Sequence, residues 1–484
     1  MKPYLFTFCL SLLMCMTLMP LVILFARRFQ LVDKPSARKV HRTPVPRVGG
    51  IAIAVAALLV SVFVFYSFQA LRDMFKTLPL QTIALLGTSA FIFGIGLLDD
   101  KFELSGKTKF LAIFIAACVL CASGFCIRTL NVGKLFTLEL GQLSWPVTVL
   151  WITGVSAGLG FVDGLDGLAA SLSAIAALVI MILAFYVGQP VVAVIMLALL
   201  GALVGFLLFN YNPAKLFMGD CGSLFLGFIL SASVVALVST HQSIETFGIA
   251  AVALGVPILD AGCTMIRRGI LERRSIFNAE RGHIHHRLLD MGLSQKQVVV
   301  VLCLATLLTS AMAMFTLATK NVQTVIILLC ILLLYLLFFR VIGSVSISKT
   351  LSALQRNKAL KQTENQYKTL FEDIQLQLRR ADTFDQWWIL IRKAAIRLNF
   401  QGISMDVTNR DGSIRTLAWQ RKSDRFSSHG TTSLTLPVRD RRSGPPLKLT
   451  ATVNLGLSLE TTGARITFFM RMLDEHSVGE LENK

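Results

Sequence analysis

The sequence predicts an α-helical protein that crosses a membrane many times, with a small α+β domain after the last crossing. Three observations carry that prediction. Of the 484 residues, 54% are hydrophobic and only 15% charged, against about 25% charged in an ordinary soluble chain. The apolar residues fall into long unbroken runs, and beyond about residue 344 the composition turns polar. A mean hydropathy of +0.66 excludes an ordinary soluble globule. A net charge of +19 would suggest nucleic acid in a soluble protein. Here the cations occupy short loops between apolar runs, as the positive-inside rule requires, so the expected partner is a lipid bilayer and not nucleic acid.

A helix needs roughly 17 to 25 apolar residues to cross about 30 Å of hydrocarbon. Eleven runs qualify, at about residues 4–25, 49–70, 80–98, 109–127, 145–162, 168–187, 190–209, 222–240, 247–266, 297–318 and 323–343. The first is too long for a signal-peptide core and is followed at once by Arg27 and Arg28, so it is expected to be retained. Cations crowd the segment after the first run (Lys34, Arg38, Lys39, Arg42, Arg47) and after the ninth (Arg267, Arg268, Arg273, Arg274, Arg281, Arg287). Those loops are expected in the cytoplasm, which places the N-terminus outside and the C-terminus inside a bacterial cytoplasmic membrane.

Residues 344–381 carry Leu351, Leu354, Leu360, Tyr367, Leu370, Phe371, Ile374 and Leu378 at helical spacing among charges, the pattern of an amphipathic or coiled-coil linker. Beyond it, residues 382–484 read as a helix near 385–398, strands near 403–407, 414–419, 433–438 and 447–457, and a helix near 465–473. This is a small α+β domain, loosely similar to GAF or PAS modules, and nothing in it looks catalytic. Nine cysteines lie in or beside apolar runs, so neither a disulfide framework nor a zinc module is expected.

Acidic residues at the edges of membrane spans are expensive and usually functional. Asp99 and Asp100 close the third run, Asp163 and Asp166 follow the fifth, Asp220 precedes the eighth, and His283, His285 and His286 follow the ninth. By the charge pattern all face the same side. Carboxylates beside cationic loops suit a divalent cation and a polyphosphate ligand. The glycine-rich runs Asp163-Gly164-Leu165-Asp166-Gly167 and Gly219-Asp220-Cys221-Gly222-Ser223 permit close backbone approach ahead of a helix. Each acid also has a plain alternative, as a topological marker or a helix cap. A zinc site at the histidines is disfavoured because no further soft ligand is evident.

Over roughly residues 1–320 the chain resembles the polyprenyl-phosphate N-acetylhexosamine-1-phosphate transferases, in their WecA/TagO-like N-acetylglucosamine branch. The resemblance rests on five ordered motifs: Asp33-Lys34-Pro35 with Arg38-Lys39-Val40-His41 and Arg47-Val48-Gly49-Gly50; Leu98-Asp99-Asp100-Lys101; Asp163-Gly164-Leu165-Asp166-Gly167; Asn210 with Phe217-Met218-Gly219-Asp220; and Arg281-Gly282-His283-Ile284-His285-His286. It implies transfer of a sugar 1-phosphate from a UDP-N-acetylhexosamine, by preference UDP-N-acetylglucosamine, to polyprenyl (undecaprenyl) phosphate, with release of UMP. That would be the first membrane step of cell-surface polysaccharide synthesis. Mg²⁺ is the implied cofactor, with Mn²⁺ the alternative ion, and a homodimer is compatible.

On that resemblance Asp220 is the metal ligand, joined by Asp163. Asp99 and Asp100 would orient the lipid phosphate, and Asp163 and Asp166 would support metal or nucleotide. Asn210 would hold metal or substrate. Arg281, His283, His285 and His286 would bind the diphosphate and sugar, with Arg38, Lys39 and His41 on the phosphate rim. Family members usually carry two asparagines where this chain has Ala157 and Gly160, a departure that bears on the metal shell. The rival readings are a catalytically silent homologue acting as sensor or scaffold, and a transporter, whose sites tend to lie nearer the midplane.

Overall fold

In the computed structural model the described residues are 2–33, 45–77, 79–132, 136–268, 283–318, 322–342, 372–408, 413–421, 431–438, 447–454 and 459–476. The chain divides into two compact units, Met1–Ile347 and Ser348–Lys484.

The first unit is helical: α1 (Lys2–Arg28), α2 (Gly50–Ser67), α3 (Gln69–Thr77), α4 (Pro79–Phe102), α5 (Gly106–Ala122), α6 (Ser144–Val162), α7 (Leu168–Val187), α8 (Pro190–Asn210), α9 (Asp220–His241), α10 (Ile244–Ala253), α11 (Gly255–Ile266), α12 (Ile284–Asp290), α13 (Gln295–Phe315) and α14 (Val322–Val341). Two small antiparallel ladders join them, β1 (Val32–Asp33) with β2 (Val45–Pro46) and β3 (Thr129–Val132) with β4 (Phe136–Glu139). Local chemistry sets several starts: Pro190 at the first position of α8, the Ser105 side chain capping α5, and a reciprocal Ser294–Gln297 capping box on α13.

Each of the eleven apolar runs is helical, and among the described residues eight helices are long and apolar enough to cross a membrane. The ninth run differs from expectation. It is not one straight helix but two, α10 and α11, meeting at 77°. Within an apolar environment a broken helix must find partners for the backbone groups it frees. Here the Tyr335 hydroxyl, on α14, donates to the Val252 carbonyl at 3.2 Å and shares a 2.7 Å hydrogen bond with Thr309. Helix α5 has 17 residues, and the apolar part of α14 is Ile326–Val341, so both are short for spans.

Helix α9 is the centre of the unit, its apolar window wholly enclosed among α2, α4, α6, α7 and α10. Apolar burial gives little drive between helices in lipid, so close packing of small residues must do the work. Glycine supplies it at three crossings. A Cβ on Gly50 would lie 2.2 Å from the Gly222 nitrogen, one on Gly96 2.5 Å from the Cys221 Cα, and one on Gly227 2.5 Å from the Ser156 Cα. Helices α2, α4 and α6 are thereby held against α9 at backbone contact, and three of these four helices carry the acids at one end.

The second unit holds a four-stranded antiparallel sheet in the order β6-β5-β8-β7, made of β5 (Phe400–Thr408), β6 (Ile414–Gln420), β7 (Thr431–Val438) and β8 (Leu447–Asn454). Helices α15 (Phe384–Arg397) and α16 (Leu459–Glu475) complete it. Alternate strand residues Ile403, Met405, Leu449, Ala451 and Val453 are buried with Trp387, Ile391 and Phe469 of the helices. Ile374 and Leu378, the described end of the expected linker, join this core and so are not part of a free coiled coil. The rest of the linker lies outside the described residues.

Candidate functional site

The acids converge because backbone pairing brings remote segments to the start of α9. Phe217 donates its N–H to the Pro46 carbonyl at 2.8 Å, and Gly49 and Gly50 donate to Phe217 and Met218, each at 2.8 Å. Arg47 is thus pinned beside Asp220. Gly219 is obligatory at this corner: its φ is +78°, and a Cβ there would lie 2.2 Å from the Arg47 carbonyl and 2.7 Å from Asp100 Oδ2.

Asp99 and Asp100 lie in the last turn of α4, which runs to Phe102, at the end of the third span as expected. They can stay inside the helix because each finds donors. Asp100 Oδ1 accepts from the Asp220 N–H at 2.8 Å and Oδ2 from the Cys221 N–H at 2.9 Å, with Arg47 Nε 3.3 Å from Oδ1. It is therefore a buried cap on α9, where a carboxylate also meets the positive end of the helix dipole. Asp99 accepts from the Leu104 N–H at 2.7 Å and from Lys109 Nζ at 2.8 Å. Asp220 accepts from Arg47 at 2.7 Å, with Lys109 Nζ 3.8 Å away.

Asp163 closes α6 and faces the same cluster. Desolvation, and after it the Asp220 charge, push its carboxyl up to about 7. Arg47 responds in the other sense. Burial works against its charge, but Asp220 and Asp100 outweigh it and raise its pKa. With all four carboxylates ionised the two cations leave a formal charge of −2, which one divalent cation would offset and which in turn would favour the ionised form of Asp163. Among the described residues no three acidic, histidine or cysteine side chains form a ready-made metal cage. The donors the cluster offers are carboxylate oxygens, the class that Mg²⁺ takes one or two of before completing its shell with phosphate oxygens and water. Asp163 and Asp220 would hold it.

The remaining predicted residues take varied positions. Asp166 has one oxygen in structural bonds: its Oδ2 accepts from the Asn212 amide at 2.8 Å and the Ala214 N–H at 3.1 Å. Asn210 is likewise occupied, accepting from the Gly167 N–H at 2.9 Å and donating to the Leu216 carbonyl at 2.8 Å. It clamps the glycine-rich loop, and it also lines the cavity beside the cluster. Gly167 adopts φ +77° to enter α7. His283, His285 and His286 form a ladder: His283 stacks on Phe161 at 5.1 Å, His285 lies parallel to His283 at 5.9 Å, and His286 is 4.3 Å from His285. Burial, and after it His286, lower the His285 pKa to about 3, so its ring is neutral. Arg38, Lys39, His41 and Arg281 lie outside the described residues.

A cavity of about 810 Å³ opens beside the cluster, lined by Arg47, Gly160, Asp163, Asp166, Asp220 and His286 among others. Its size suits a nucleotide sugar better than a small ion alone. A Cβ on Gly160 would meet no atom within 4 Å, so no neighbour has refilled the place of the missing asparagine.

Two working residues escaped the sequence reading. Lys109, in the first turn of α5, bridges Asp99 and Asp220; a cation opening an apolar helix ten residues after an acid pair was its signal. Asp260 is an acid within the ninth apolar run, and it is 2% exposed; that placement alone marks a residue for attention.

The chain matches glycosyl transferase family 4 over residues 82–238. It is 35% identical over 342 residues to a probable undecaprenyl-phosphate N-acetylglucosaminyl 1-phosphate transferase of Bacillus subtilis (strain 168), covering 70% of this chain and 91% of that one. It is 36% identical over 313 residues to a decaprenyl-phosphate N-acetylglucosaminephosphotransferase of Mycobacterium leprae, covering 59% and 76% of the two chains. An Escherichia coli (strain K12) undecaprenyl-phosphate alpha-N-acetylglucosaminyl 1-phosphate transferase is 28% identical over 332 residues, covering 65% and 84%.

Proposed function

Because the chain belongs to glycosyl transferase family 4, among the polyprenyl-phosphate N-acetylglucosamine-1-phosphate transferases, we propose that it moves N-acetylglucosamine 1-phosphate from UDP-N-acetylglucosamine to a polyprenyl phosphate. A lipid phosphate oxygen forms a bond to the sugar-linked phosphorus. The bond from that phosphorus to the bridging oxygen breaks, and UMP leaves with the electron pair. The product would initiate a cell-surface polysaccharide at the cytoplasmic face of the membrane, a placement supported by the cationic segments that share the acids' end of the chain pattern.

The observation that carries this reading is the convergence of Asp99, Asp100, Asp163 and Asp220 with Arg47 and Lys109 in one cluster, of which Arg47, Asp163 and Asp220 line the cavity. Two multiply charged phosphates meet only where charge is neutralised in advance. Mg²⁺ bound at Asp163 and Asp220 would screen the diphosphate and stabilise the leaving phosphate. Arg47 and Lys109 hold the carboxylates apart and keep their charge matched. Asp99, already paired with Lys109, orients the acceptor phosphate, which is largely ionised near neutral pH and needs no strong base. His286 reaches the cavity to meet the donor.

The test is transfer of label from UDP-N-acetylglucosamine to polyprenyl phosphate by the purified full chain with Mg²⁺, beside Asp220→Ala. Metal-dependent lipid product, lost in the variant, is the expected result. Folded protein without product from any UDP-N-acetylhexosamine would support the silent-homologue reading, for which Ala157 and Gly160 are the sequence argument.

A further inference from the structure

Asp260 has no part in the family motifs quoted above, yet it is one of the most completely engaged acids in the molecule. It lies on α11, the second half of the broken span, with 2% exposure. Its Oδ2 is 2.8 Å from His283 Nδ1, and its Oδ1 accepts from the Ile284 N–H at 2.8 Å. One carboxylate therefore grips both the ring that begins the histidine ladder and the backbone that begins α12. The break explains how it gets there. Helix α11 turns 77° from α10 and lies on α6 at Gly158, where a Cβ would be 2.6 Å from the Pro257 carbonyl. That contact brings Asp260 level with Phe161, on which His283 stacks.

We infer that Asp260 is a positioning residue for the transferase site: it fixes the ring of His283 with Nδ1 protonated and thereby sets the ladder that delivers His286 to the cavity. A carboxylate can only accept, so the proton between Asp260 and His283 sits on Nδ1 and the ring cannot flip. His285, 1% exposed, has no hydrogen-bond partner at either ring nitrogen among the described residues, and its Nε2 lies where a Cβ on Gly164 would be 2.5 Å away. Among the described residues His285 is held by packing alone, against Gly164, His286 and the parallel ring of His283, and the last of these is fixed by Asp260. The broken span thus has a chemical purpose.

The inference rests on the proposed reaction for its kinetic consequence but not for its structural one. The decisive variant is Asp260→Asn, of the same shape. Its amide oxygen can keep the Ile284 N–H while its NH₂ group faces His283 Nδ1, which must then become an acceptor. With ¹⁵N-histidine in the full chain, the wild-type His283 Nδ1 resonance is expected in the protonated range, and in Asp260→Asn it moves to the unprotonated range. Turnover should fall roughly 10- to 100-fold, the size seen when a carboxylate orienting a working histidine is lost. KM for the UDP-sugar should rise while KM for polyprenyl phosphate holds. Asp260→Asn, which keeps an acceptor for the Ile284 N–H, combined with His283→Ala should be no worse than His283→Ala within about twofold, because the acid acts through the ring.

A wild-type Nδ1 in the unprotonated range overturns the inference whether or not the variants fold. So does a double variant whose losses multiply. Absence of transfer by wild-type protein overturns the proposed function instead, and leaves the ring-nitrogen resonances to decide on Asp260.

Discussion

Replacing Asp100 by asparagine separates a structural acid from a chemical one. The side chain is 1% exposed, and its two oxygens take the first two N–H groups of α9 at 2.8 and 2.9 Å. An amide offers one acceptor and turns its NH₂ toward the other N–H. One charge-assisted hydrogen bond is lost, at about 1.5 to 3 kcal/mol. The favourable meeting of negative charge with the helix N-terminus is lost too, at about 0.3 to 1 kcal/mol. The expected cost is about 2 to 4 kcal/mol, a fall in the detergent melting midpoint of roughly 2 to 5 °C for a chain of this size. Because Asp220 is the residue displaced, transfer should fall about 100-fold, the size of effect a shift near 1 Å produces in a reacting centre. Melting and label transfer are measured on the same preparation. An unchanged midpoint with abolished transfer would refute the argument, since it would make Asp100 a participant in the reaction and not the cap on α9.

Three further outcomes are expected. Lys109→Met strands Asp99, whose side chain is 2% exposed, and costs about 1 to 3 kcal/mol, below the usual range for a broken buried pair because Lys109 is partly exposed; transfer should fall at least about 100-fold in the label assay, with Lys109→Arg giving only partial recovery. Gly50→Ala places a Cβ 2.2 Å from the Gly222 nitrogen and should prevent stable folding, whereas Gly160→Asn enters open space and should melt at or slightly above the wild-type midpoint, because glycine is the poorer helix residue; monodispersity and melting report both. His285 is held near 3 in the folded chain against 6.5 for a free ring, so protons favour the unfolded state: stability is complete above about pH 6.5 and declines as pH falls toward 3, and His285→Phe should flatten that part of the midpoint-against-pH curve.

Much of the site was legible because charge inside or beside an apolar run is costly and so stands out. Asp99, Asp100, Asp163 and Asp220 were found that way, as were the eleven helical runs, since a 20-residue apolar stretch has few alternatives in lipid. The second unit was legible for a different reason: alternating strands such as Leu447–Asn454 and the amphipathic helix Phe384–Arg397 declare their buried faces in period 2 and period 3.6. Function was less evenly readable. Asn210 and Asp166 carry the right chemistry for a ligand, and their partners, the Gly167 N–H and the turn at Asn212, are 43 and 46 residues away.

By itself the sequence determined the class of the protein, the ends of the helices that bear acid, and the family, all of which depend on composition and short-range pattern. Only the tertiary structure decided which acids are free. It turned Asp100 into a cap, gave Asp99 and Asp220 their cations Lys109 and Arg47, and bent the ninth run so that Asp260 meets His283. The physical reason is that a carboxylate's role is set by the donors it meets, and in this chain those donors arrive from helices packed at glycine contacts on α9 that no local pattern reveals.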